Sequence, residues 1–260
     1  MLFVEILVLG AAIGLALGLL GGGGSILTVP ILVYLVRMDA HIAIAASLLI
    51  VGANALIGAI MHYRDGHVQL RPALLFGALG VVAAFAGARL SKLVSSPVLL
   101  MLFAVLMLVI AVAMLTQRPS EPSAVPSHPP VVWWRVALGG IGVGFLTGFL
   151  GVGGGFLVVP ALVFLRGMQM HDAVGSSLVV IALNSAAGVA GHLGDGAFPW
   201  GTILLFVAAG MGGLLVGRRV LLHISAVRLR QAFSGFVIAL GLTLLTINIP
   251  LVVTMLAKRQ

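Results

Sequence analysis

Four residues at spacings of 7, 4 and 4, namely Ser47, Asn54, Gly58 and His62, return 130 positions later as Ser177, Asn184, Gly188 and His192. On a helix these spacings put all four on one face. Hydroxyl, carboxamide and imidazole groups both donate and accept hydrogen bonds, so such a stripe can line a path for a polar or anionic ligand. Serine and asparagine at these positions also act as glue between packed helices, and the spacing alone leaves both readings open. His62 and His192 stand near expected helix ends, beside Asp65 and Asp195. They read as interfacial histidines, with gating or proton coupling as the functional alternative. Asp65-Gly66 and Asp195-Gly196 read as turns.

Two glycine runs carry the second chemistry. Gly21-Gly22-Gly23-Gly24-Ser25 and Gly151-Val152-Gly153-Gly154-Gly155 each precede a short apolar stretch with proline a few residues in. The first N–H groups of a helix lack partners and its dipole is positive there, so a helix that begins at such a run offers an anion site without a buried cation. Glycine lets the ligand approach the backbone. The candidate binding residues are therefore Gly22, Gly23, Gly24, Ser25, Gly153, Gly154 and Gly155, together with Ser47, Asn54, Ser177 and Asn184. Two such helix ends facing each other would make the site. Close helix packing is the plainer role for the same glycines. Neither run ends in Gly-Lys-Ser/Thr, which argues against a nucleotide loop.

Other chemistries are disfavoured. The six acidic residues all fall near expected span ends or in loops, which leaves no paired carboxylates and no mid-span proton relay. There is no cysteine, no nucleophile–base pair, and the histidines are too scattered for a metal site. Neither enzyme nor cofactor is expected. Arg89 and Arg219 read as arginines that snorkel to an interface, with a gate as their functional alternative.

The elements that must position these groups follow from composition. Of 260 residues 61% are hydrophobic and 8% charged. A water-soluble surface cannot be built from that, whereas a bilayer solvates an apolar exterior. Apolar segments run at about 2–20, 26–36, 42–61, 72–90, 97–116, 131–150, 156–165, 173–193, 198–217 and 231–257, close to the ~20 residues a span requires except at 26–36 and 156–165. Each short segment follows a glycine run, which predicts a broken or re-entrant helix. The net charge of +8 is scattered in short tracts between apolar runs, as in loops that obey the positive-inside rule, so nucleic acid is not an expected partner.

Shifted by 130 residues, roughly 30 of about 80 positions match without a gap, among them Val29-Pro30 with Val159-Pro160 and Arg89 with Arg219. The reading is an all-α polytopic membrane protein, one transporter domain over 1–260. It has two homologous halves, 1–116 and 131–260, and a proline-rich linker at 117–130. Each half holds a glycine-broken helix followed by three transmembrane helices. With the broken segment re-entrant, five of the 14 Lys and Arg, at 37, 89, 92, 258 and 259, share one side and the remaining nine the other. That split favours inverted halves with both termini outside.

The run Gly151-Val152-Gly153-Gly154-Gly155-Phe156-Leu157-Val158-Val159-Pro160 resembles the hallmark of the sulfite exporter TauE/SafE family. The first copy departs from it with Gly22 at the aliphatic place and Ser25 at the last glycine. The resemblance covers nearly the whole chain. It implies secondary transport of a small anion (sulfite, a sulfonate or a related organic acid), in the export direction, across a bacterial cytoplasmic membrane. An anion channel and a membrane-embedded structural subunit are the alternatives. The expected partners are the bilayer and the anion, and a homodimer stays open.

Overall fold

The computed structural model describes residues 2–20, 25–116, 133–151, 155–166, 168, 170–193, 198–221 and 226–257, and these residues form helices joined by short connections. In order they are α1 (Leu2–Leu20), α2 (Ser25–Pro30) with a π-helical turn (Ile31–Leu35), α3 (Ala40–Arg64), α4 (Leu70–Ser91), α5 (Ser96–Thr116), α6 (Trp133–Leu150), α7 (Gly155–Arg166), α8 (Met170–His192), α9 (Trp200–Leu221) and α10 (Ala226–Ala257). Every expected apolar segment is a helix, and the two short ones follow the two glycine runs. Five helices are long and apolar enough to cross a membrane: α3, α4, α5, α8 and α9. The linker 117–130 lies outside the described residues.

Local chemistry explains several helix ends. The Asp39 carboxylate caps α3 by accepting from the His41 N–H at 2.9 Å. At its other end Gly66 takes a left-handed φ of 79°, and the Gly66 and His67 N–H groups return to the Tyr63 and His62 carbonyls at 3.1 and 3.0 Å. The Asp65-Gly66 turn is thus as the sequence predicted, while Asp195-Gly196 lies outside the described residues. The short helix after the first glycine run does not stay α-helical. Pro30 has no N–H for the ladder, and the next turn widens into the π form, closed by the Val36 N–H on the Ile31 carbonyl at 3.0 Å.

The chain divides into two compact units, and neither follows the repeat. One unit is Met1–Ser91 with Pro130–His223, and the other is Lys92–Pro129 with Ile224–Gln260. In the smaller unit α5 packs on α10, with Gly241 set against Leu108 and the Ala104 carbonyl. The larger unit interleaves the two halves. Its core is built on α3 and α8, whose most apolar stretches are each 61% buried against 33–39% for α4, α5 and α9. Phe76 and its repeat mate Phe206 are both fully buried in that core.

Glycines reveal how these helices run. A Cβ built on Gly52 would lie 2.9 Å from Ser185 Cβ, one on Gly58 3.0 Å from Leu178 Cδ1, and one on Gly188 2.9 Å from Leu48 Cδ1. As numbers rise along α3 they fall along α8, so this pair of repeat mates is antiparallel. The other pairs run the same way as each other. On α1 and α9, Gly10 meets Ala209, Gly14 meets Gly210 and Gly217 meets Leu15. On α6 and α4, Gly140 meets Phe76, Gly144 meets Gly80 and Gly148 meets Ala84. Likewise α9 runs with α3 and α4 runs with α8, through Gly210 on Asn54 and Gly80 on Asn184. Each half therefore lends its first helix to the fourth helix-forming segment of the other.

These contacts are backbone to backbone. A Cβ on Gly14 would overlap the Gly210 carbonyl, and one on Gly144 would overlap Gly80. Gly14→Val and Gly144→Val are each expected to lower stability by about 1–3 kcal/mol or more, since no rotamer avoids the opposing backbone. Gly212, which faces open space, should tolerate valine without loss. Thermal melts of the detergent-purified protein check this, and equal melting of all three variants would remove the glycine contacts from the account of the fold.

Candidate functional site

The polar stripe lies in the interior. Ser47, Asn54, Ser177, Asn184 and His192 are fully buried, and His62 nearly so. The stripe does not form one cluster, because its members point to different neighbours at different levels. Asn54 and Asn184 are close in level, near the middle of the antiparallel α3–α8 pair. Asn54 faces Gly210 on α9, where a Cβ would come within 2.6 Å of its Nδ2. Asn184 faces Gly80 on α4 in the same way, with its Oδ1 at 2.5 Å. Each carboxamide thus lies against the glycine that is pressed from the other side by Gly14 or Gly144. Gly58 and Gly188 are packing positions, set against Leu178 with Leu214 and against Leu48.

The hydrogen bonds separate glue from the rest. The single Ser47 hydroxyl proton is shared between the Ile44 carbonyl, 2.8 Å from Oγ, and the Gly151 carbonyl on the other half. Ser177 Oγ donates to the Val174 carbonyl at 2.7 Å. His192 Nε2 lies 3.2 Å from the Gly148 carbonyl. Ser47 and His192 therefore bond the carbonyls at the end of α6, where Gly151 turns out of the helix with φ 68°. Asn54 Nδ2 donates to the Ile50 carbonyl at 2.9 Å, but its Oδ1 has no partner among the described residues. For Asn184 neither Oδ1 nor Nδ2 has one. A buried amide left unpaired costs free energy, so Asn184 is not explained as glue.

Several expectations need correction. The histidines are not interfacial: His62 is 5% exposed and His192 is fully buried, because both turn inward from their helix ends. The helices that lead into the two glycine runs, α1 and α6, end at different levels. Leu20 lies six residues beyond Gly14, roughly 9 Å past the asparagine level at 1.5 Å per residue. Leu150 lies six residues beyond Gly144, a similar distance in the opposite direction because α6 runs against α1. The segments that follow do meet, since α2 packs on α7. Gly22, Gly23, Gly24, Gly153 and Gly154 lie outside the described residues. Gly155 opens α7, and Ser25 opens α2 fully buried. Arg89 is exposed, its guanidinium 5.4 Å from the Phe85 ring one turn back, and Arg219 is exposed as well. Both placements agree with arginines that reach for an interface.

Three buried hydroxyls without a partner among the described residues were missed by sequence reasoning, Thr28 and Ser185 in the larger unit and Ser234 in the smaller. Thr28 Oγ1 lies on α2, and Ser185 Oγ approaches Gly52. Their repeat mates are Val158 and Ala55, so a search for repeated polar residues passes over them. Ser185 carried a usable signal, a second polar residue beside Asn184 in mid-span. No group of three or more His, Asp and Glu is placed to hold a metal among the described residues.

Comparison with known proteins adds three findings. The family model described as "Sulfite exporter TauE/SafE" matches residues 6–244. A "Probable membrane transporter protein" of Xylella fastidiosa (strain 9a5c) is 36% identical over 238 residues, 90% of this chain and 91% of its own. The "Probable membrane transporter protein YdhB" of Bacillus subtilis is 26% identical, over 80% of this chain and 85% of its own. One of Methanocaldococcus jannaschii, MJ0441, is 25% identical over 72% and 71%. No solved structure matches significantly.

The bonding pattern makes a contrast that can be measured. Ser47→Ala strips the buried Gly151 carbonyl of a donor and is expected to cost about 1–3 kcal/mol of stability. Asn184→Ala removes a group with nothing to lose and should change stability by less than about 1 kcal/mol. Melting temperatures of the two variants test the order, and a larger drop for Asn184→Ala would make that side chain structural.

Proposed function

The chain belongs to the sulfite exporter TauE/SafE family, and on that premise we propose that it is a secondary transporter exporting small anions across the bacterial cytoplasmic membrane. The observation that carries this reading is the Asn184 carboxamide, fully buried and without a partner among the described residues, level with Asn54 in the middle of helices long enough to span a bilayer. A buried amide kept without a partner is a ligand contact in waiting. Sulfite and sulfonates lead the candidate substrates because of the family. The absence of lysine and arginine from mid-span leaves helix dipoles and neutral donors to offset the charge of the anion.

The α3–α8 geometry supports inverted halves. Repeat mates that run antiparallel are related by an axis across the helices, which lies in the membrane plane when those helices span it. With α1 and α3 running one way and α6 and α8 the other, Arg64, Arg71, Arg135, Arg166, Arg218 and Arg219 of the larger unit share one face, against Arg37 and Arg89 on the other. The positive-inside rule makes the more basic face cytoplasmic. On this reading an anion meets the starts of α2 and α7 in succession, one toward each face, with the asparagine level between them. Each helix start carries about half a positive charge, which suits a monoanion such as bisulfite.

Four outcomes are expected. A single cysteine in place of Asp65 and one in place of Asp195 react with an impermeant maleimide from opposite faces. The native chain has no cysteine to interfere. In proteoliposomes the protein moves sulfite with saturation and trans-stimulation. Asn184→Ala loses about tenfold in apparent affinity, the equivalent of ~1.4 kcal/mol. Gly24→Leu and Gly154→Leu abolish flux while still inserting. Labelling of both cysteines from one face ends the inverted reading. Flux that never saturates points to a channel. Undiminished flux in the glycine variants moves the anion path away from the glycine runs.

A further inference from the structure

One polar cluster in the larger unit is built from residues whose repeat mates are of other types. The loop after α3 docks onto the first turns of α8, so that one half grips the other. His67 Nδ1 lies 3.4 Å from Asp172 Oδ1, and Gln69 Nε2 donates to Asp172 Oδ2 at 2.9 Å. The Gln69 N–H donates to Ser176 Oγ at 2.9 Å. Gly175 allows the fit, since a Cβ there would strike the His67 carbonyl. Asp172 also sits in the first turn of α8, where the helix dipole favours a carboxylate.

The repeat mates cannot build the same contact. His67 corresponds to Ala197 and Asp172 to Ile42, which removes the charged and polar side chains. Gln69 corresponds to Pro199, which has no N–H to donate, and Ser176 corresponds to Ala46, which has no hydroxyl to accept. Gly175 corresponds to Ala45, which carries the Cβ that the His67 carbonyl leaves no room for at Gly175. A duplicated chain that repeats its glycines and asparagines thus carries the residues of this contact in one arrangement only.

We propose that His67, Gln69, Asp172 and Ser176 form a one-sided latch, which ties the two halves together on the face of the α3–α4 loop and must part for the interior to open there. The proposal rests on the inverted reading, which places the repeat-related position on the opposite face. The chemistry suits a contact that is made and broken. His67 and Asp172 side chains are 46% and 27% exposed, and partly solvated ion pairs and hydrogen bonds hold weakly enough to release. A fully buried pair would resist parting. Two inverted halves with identical ends would favour neither face. A latch at one end biases the resting protein toward closure on that side, so that it rests open to the other.

The test uses Ser177→Cys as reporter, one residue past the latch on α8 and buried. In that background Asp172→Ala and Gln69→Ala are each expected to raise the rate of labelling by an impermeant maleimide from the α3–α4 loop face about 5-fold or more. Ile42→Ala, at the mate of Asp172, should leave it unchanged. Gln69→Ala is the milder variant, because it keeps the backbone bond to Ser176. Unchanged labelling in both latch variants, or equal gains from Ile42→Ala, overturns the latch. Cysteines at Asp65 and Asp195 that label from one face instead overturn the inversion, and the one-sidedness of the latch falls with it.

Discussion

Close approach of glycine backbones at two equivalent points holds the larger unit together, and the rest of its geometry depends on that contact. Helices in hydrocarbon gain little from hiding apolar side chains, since lipid tails are equally apolar. Association then relies on dispersion between surfaces that come very near, which requires the absence of side chains. Gly14 on Gly210 and Gly144 on Gly80 meet this condition. Because each pair joins one half to the other, neither half closes a core alone. The two compact units cut across the repeat for the same reason.

The second constraint is the demand of broken backbone for partners. A helix that stops inside a membrane protein leaves carbonyls that water cannot reach. At the end of α6 those groups are met by Ser47 from the other half and by His192 from α8. This gives the buried histidine a structural role and accounts for its inward turn. It also divides the polar stripe into groups with work to do in holding the fold and the two asparagines, whose amides face glycine and stay partly or wholly unpaired. The functional reading draws on that division rather than on polarity alone.

Antiparallel α3 and α8 give the molecule its internal symmetry, and departures from symmetry then carry information. Thr28, Ser185 and the His67–Asp172 contact all occur where the repeat mate is apolar or sterically unsuited.

The sequence by itself determined where the helices lie, which pairs of segments are mates, where the chain breaks, and that the exterior is apolar. Those properties are local: hydropathy over a span, glycine and proline chemistry, and a fixed repeat offset. The Asp65-Gly66 turn was readable for the same reason, since a positive φ there needs only the residues of the turn. Tertiary structure decided which helix meets which, the level of each helix end, the burial of both histidines, the π turn after Pro30 and the unpaired state of Asn184. Apart from the π turn, which Pro30 sets locally, each of these depends on contacts between residues far apart in the chain, set by complementary surfaces that no local pattern encodes. Two glycine runs look alike on the page, but only the packing of α1 on α9 and α6 on α4 places the helix ends before them toward opposite sides of the asparagine level.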